Sequence, residues 1–118
     1  MTTQVLTAEA ASTRPVIAWY RNGAKRDSDF YYHSVWESLP DRSTVTSECK
    51  EHVDELRDRA AKLRGVRGEG LARKRVAKAL EELEDRFNAI KRATNRYGMA
   101  LCVRNFFNSY ENYLLAAA

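Results

Sequence analysis

A chain of 118 residues with 44% hydrophobic and 31% charged side chains fits one small globular domain with a real core and has no room for two. Two cysteines and no secretion-signal pattern predict free thiols in a cytoplasmic protein rather than a disulfide scaffold, and no apolar run approaches the roughly eighteen residues of a membrane span. The net charge of +4 is unevenly placed: residues 57–78 hold nine basic side chains against Asp58 and Glu69, a local charge of +7 that leaves the rest of the chain at −3.

Residues 1–13 show no usable period and read as a flexible amino-terminal arm, or a short helix after Thr7, ahead of a single helical domain over 14–118. In RPVIAWYRNG, Pro15 suits a first helical turn, whereas Asn22-Gly23 suits either a helix end or a hairpin turn, so helix and strand both stay open. Tyr32, Val35, Trp36 and Leu39 follow i, i+3, i+4, i+7 and predict a helix over 28–39, capped by Asp27 or Ser28 and stopped by Pro40. Alternation of Phe30, Tyr32 and Trp36 is the competing strand pattern.

From Asp41 the period is plain. Val45, Cys49, Val53, Leu56, Ala60 and Leu63 line one face of a helix over 42–64, and Gly65 is a natural stop. Val76, Leu80, Leu83, Phe87, Ile90, Thr94, Tyr97 and Leu101 step by four and three, a heptad seam that predicts a helix over 71–97 packed antiparallel to its predecessor. Residues 65–70 form the hairpin tip. The same seam suits a two-chain coiled coil, and self-association as a homodimer is expected.

Gly98 is placed to break the helix before a carboxy-terminal segment whose Leu101, Cys102, Phe106, Tyr110, Tyr113 and Leu114 make a broad apolar face. Six aromatics fall between Trp19 and Trp36 and five between Tyr97 and Tyr113, so those regions are expected to pack together. Phe106 and Phe107 cannot point the same way, and one of them stays partly exposed unless the amino-terminal segment or another chain covers it. The fold class is all-α: a small bundle on a long antiparallel hairpin, closed by a carboxy-terminal helix and an aromatic amino-terminal segment.

The chemistry is concentrated at the tip. Arg64 and Arg67 flank a glycine-bearing turn, and Arg73, Lys74, Arg75 and Lys78 continue onto the next helix. Glycines that permit close approach, backbone N–H groups at a helix start and guanidinium forks are the parts a phosphate requires. Three cations at Arg73–Arg75 are also at the unfavourable pole of their own helix dipole. Gly65-Val66-Arg67-Gly68 matches the GXXG loop of KH domains, but the strand platform that fold needs has no counterpart in the helical sequence downstream. The glycines also lack the Gly-Lys-Ser/Thr ending of a phosphate-binding P-loop.

Elsewhere the signals favour packing over chemistry. Cys49-x-x-His52, with His33 and Cys102, supplies zinc-ligand types with only one spaced pair, so no metal and no cofactor is expected. His33 and His52 are the only imidazoles, the serines near them sit in no nucleophile elbow, and the acidic runs, Glu48 and Glu51 among them, read as solvated helix faces, so the chain is read as non-enzymatic.

The leading expectation is a binding protein whose tip, Arg64, Arg67, Arg73, Lys74, Arg75 and Lys78, contacts nucleic-acid backbone or a nucleoprotein, with no membrane involvement. The alternative is a small accessory protein of phage or viral type that inhibits or adapts a host protein partner through helical and aromatic surfaces, Phe107 and Tyr110 among them.

Overall fold

Proline at a first helical position loses no hydrogen bond and arrives with its φ already set. In the computed structural model, which describes residues 14–26 and 37–117, the first helix, α1, spans Pro15–Asn22. It ends where the Gly23 N–H bonds back to the Trp19 carbonyl at 3.3 Å, and a 3₁₀ turn, Ala24–Arg26, follows. The segment that suited helix or strand is therefore helical. The arm at 1–13 and most of the helix expected at 28–39 lie outside the described residues.

The second helix, α2, spans Arg42–Leu63. Asp41 caps it, accepting from the Thr44 N–H at 3.4 Å and from the Thr44 hydroxyl at 2.6 Å, and the hydroxyl bond is the main reason its carboxyl sits below the usual range. The third, α3, spans Gly70–Arg92, and the fourth, α4, spans Arg96–Ala117. Among the described residues there is no strand. Arg42 at the start of α2 donates to the carbonyls of Ile90 and Lys91 at the end of α3, and Arg75 near the start of α3 donates to Ala116 at the end of α4. These contacts fix the topology: α3 runs antiparallel to both neighbours, so α2 and α4 run parallel on either side of it.

The expected helix over 71–97 is corrected. It stops at Arg92, and Thr94 is exposed rather than on the seam. Asn95 decides the break, because its side-chain Oδ1 accepts the Gly98 N–H at 2.7 Å and caps α4, while Arg42 gathers carbonyls at the end of α3, including that of Ala93. Gly98 is not the breaker. It sits in the first turn of α4, where an added Cβ would lie 3.0 Å from the capping oxygen. The upper seam keeps its role, with Val76, Leu83 and Ile90 buried within the single chain.

Because α2 and α4 both pack on α3, the cleft between them needs a cover, and α1 supplies it. Its Val16 and Ile17 N–H groups donate to the two carboxylate oxygens of Glu48 at 2.9 and 2.7 Å. Arg14 pairs with Glu55 at 3.1 Å, the Tyr20 hydroxyl donates to Asn108, and Arg21 and Lys25 reach Glu111 at 3.1 and 2.7 Å. The Tyr20 ring lies 5.5 Å from that of Phe107. The two aromatic regions do meet, as far as they are described, and both Phe106 and Phe107 are fully buried beneath the amino-terminal cover.

Glu48 is only 4% exposed, yet it is the acceptor for two amides of a buried helix start. Burial pushes its carboxyl up, and those same amides and the Arg14 charge pull it back. Replacing it by Ala orphans both amides at about 1–3 kcal/mol each. Glu48→Ala should therefore lower stability by about 2–4 kcal/mol in urea unfolding, with Glu48→Gln intermediate because it keeps one acceptor.

Candidate nucleic-acid interface

The tip turns on two glycines. Gly65 and Gly68 have φ of +77° and +81°, values that other residues rarely adopt, and no heavy atom lies within 4 Å of where a Cβ would stand on either. The Val66 N–H bonds to the Leu63 carbonyl at 3.2 Å, which tightens the last turn of α2 before the chain reverses into α3. Glu69 occupies the amino-cap position of α3 with no side-chain cap bond.

The structure divides the six predicted cations into two groups. Arg73 reaches across the hairpin, donating to the Leu63 carbonyl at 3.4 Å and to the Val66 carbonyl. An antiparallel hairpin sets the negative end of α2 beside the positive end of α3, so Arg73 stands at a favourable pole after all, that of its neighbour. Arg75 does the same for α4, bonding the Ala116 carbonyl at 3.1 Å. Two of the three charges that looked misplaced in the sequence are thus helix-end partners for adjacent helices. Only tertiary packing reveals this, since a sequence records the dipole of a residue's own helix and not that of the one beside it.

Arg64, Arg67, Lys74 and Lys78 make up the second group. All four are exposed, and among the described residues none of the six predicted cations has a carboxylate within ion-pair distance. Lower on the same hairpin Arg57 pairs with Asp54 at 3.1 Å and lies 3.8 Å from Glu84. The four exposed cations of the second group gather at the turn and the first turns of α3.

The expected partner-binding aromatics separate. Phe107 is corrected, because its ring is fully buried between Tyr20, His52 and Phe106 and presents nothing to a partner. Tyr110 is half-buried and lines an open groove of about 400 Å³ between α2 and α4, with Leu56, Tyr113 and Leu114. Behind it lies His52, 1% exposed, its ring 4.6 Å from that of Tyr110 and neither nitrogen hydrogen-bonded to protein. Burial pushes the imidazole below its ordinary 6.5, against the weaker pull of Glu55, whose Oε2 is 3.8 Å from Nδ1.

Cys49 is buried and Cys102 partly so, both as free thiols, and burial pushes the Cys49 thiol up. Among the described residues no group of three or more His, Cys, Asp or Glu is placed to hold a metal ion, and His33 lies outside them. The structural residue that sequence reading missed is Glu48, whose acidic run reads as a solvated face although it shares the face of Val45 and Cys49 and is buried. Comparison with protein-family models, with curated proteins and with solved structures finds no match to this chain.

Two outcomes follow from this geometry. The unfolded chain binds a proton at His52 near pH 6.5, whereas the native fold refuses it until lower pH, so stability should fall as pH drops below that value. His52→Leu should flatten this part of the stability–pH profile, read by urea titration at several pH values. Arg73→Ala should cost about 1 kcal/mol through lost carbonyl bonds, while Lys74→Ala should leave the thermal midpoint nearly unchanged.

Proposed function

We propose that this protein acts by binding, not catalysis, and that its hairpin tip docks on nucleic-acid backbone, alone or within a nucleoprotein. The supporting observation is the set of four exposed cations, Arg64, Arg67, Lys74 and Lys78, that have no carboxylate partner among the described residues and surround a turn formed by two positive-φ glycines. Phosphates that replace the counterions of such a patch supply affinity with little dependence on base sequence. Arg73 and Arg75, expected at the interface, serve in this reading as the struts that hold the tip in place. The cytoplasm is the proposed site of action, and among the described residues no helix is long and apolar enough to cross a membrane.

A second reading has its own observation. The groove between α2 and α4, with Leu56, Tyr110, Tyr113 and Leu114 on its walls, suits a protein partner of the kind an accessory or inhibitory protein engages.

The salt dependence of binding distinguishes the two. If four phosphates are neutralised, log K plotted against log salt should have a slope of roughly −3 to −4 on duplex DNA. Lys74→Glu with Lys78→Glu should reduce that slope by about two and weaken binding at every sequence. A flat salt response, or no binding at low salt, removes the reading; partner capture that survives charge reversal but is lost in Tyr110→Ala favours the groove.

A further inference from the structure

We infer that the tip is a contact for duplex DNA rather than single strands, and that Leu71 enters between base steps as an apolar wedge; this rests on the backbone-binding reading above. Three kinds of group recognise nucleic acid: cations for phosphate and, as guanidinium forks, for guanine edges; rings for stacking; and amides or hydroxyls for other base edges. The tip is rich in the first and lacks the other two. No Phe, Tyr, Trp or His occurs between residues 53 and 86, and no Ser, Thr, Asn or Gln between 57 and 80.

Single-strand binders hold successive bases on aromatic platforms. Of the described aromatics, Trp19, Tyr20, Phe106 and Phe107 are buried in the core, and the tip itself carries none. A duplex presents its phosphates without needing its bases held, and carries the denser charge that exposed cations seek.

Phosphate alone leaves one feature of the tip without a partner. Leu71 is 63% exposed and Val66 42%, both beside the unpaired cations. Leu71, Lys74 and Lys78 fall at i, i+3 and i+7, so one exposed face of α3 places an aliphatic side chain at its tip and two ammonium groups behind it. Proteins that approach DNA through the minor groove use this pairing: basic groups hold the backbone while an aliphatic side chain unstacks a step and bends the duplex. Leu71 precedes the cations along the helix, which is the order in which a wedge would meet the bases. An anionic lipid surface also accepts leucines rimmed by cations, and Leu114 and Leu115 are exposed near the same end of the bundle, so vesicles form one arm of the test.

Binding of the full chain would be followed by fluorescence anisotropy on a duplex of about 24 base pairs, on one of its strands alone, and on vesicles containing phosphatidylserine, with duplex bending read by end-to-end energy transfer. The wild type should favour the duplex by about tenfold and bend it. Leu71→Ser should abolish most of the bending and weaken duplex binding about threefold to tenfold while keeping the salt slope. Leu71 packs little of its surface in the fold, so the substitution leaves folding intact, which circular dichroism checks. Equal affinity for duplex and single strand overturns the inference, as does a Leu71→Ser protein that bends DNA like the wild type. It is also overturned if Leu71→Ser loses vesicle binding with duplex binding intact. In each of those cases salt-dependent nucleic-acid binding still stands for the broader reading, which fails if the wild type binds no nucleic acid at low salt or binds it with a flat salt response.

Discussion

A buried carboxylate on the first turn of a short helix is the interaction on which the rest of this core depends. At eight residues, α1 is too short to persist by itself, since helix nucleation costs more than so few hydrogen bonds return. Glu48 changes that balance by accepting the Val16 and Ile17 amides, which carry the positive end of the helix dipole. Once seated, α1 brings Tyr20 onto Phe107 and seals Phe106, Phe107 and His52 from water. Without the seat, the cleft between α2 and α4 would expose aromatic surface.

The same economy of backbone groups shapes the helix ends. Arg42, Arg73 and Arg75 each leave their own helix to bond the terminal carbonyls of a neighbour: α3, α2 and α4 in turn. Antiparallel packing makes this work, because it sets each carbonyl-rich end beside the start of another helix, where arginine is otherwise poorly placed. A planar guanidinium with several donors can span two or three carbonyls, which lysine cannot do with the same geometry. Two roles thus alternate along one short stretch: Arg73 and Arg75 bond the carbonyls of neighbouring helices, while Lys74, between them on the helix, faces solvent.

This alternation is also what makes the proposed backbone-binding role of the tip compatible with a stable hairpin. The turn is held by its own arginines and by two glycines in the left-handed region, so the exposed charges need not supply stability. They are available to a ligand without being needed by the fold.

Periodicity by itself determined the all-helical class, the extent of α2 from Arg42 to Leu63, its antiparallel pairing with α3, the glycine tip and the clustering of cations there. Those are properties of local spacing and composition, and local spacing survives folding. The end of α3 was misplaced because a seven-residue pattern runs across Thr94 and Tyr97, whereas a single Asn95 side chain bonding the Gly98 amide stops the helix. The roles of Glu48, Arg73, Arg75 and Phe107 were decided by the tertiary structure alone. Each depends on a group distant in sequence: an amide 32 residues away for Glu48, a carbonyl 41 residues away for Arg75, and the ring of Tyr20 for Phe107. Charge and apolarity are written in the chain, but whether a charge meets a carbonyl, an amide or open water is settled only when helices lie side by side.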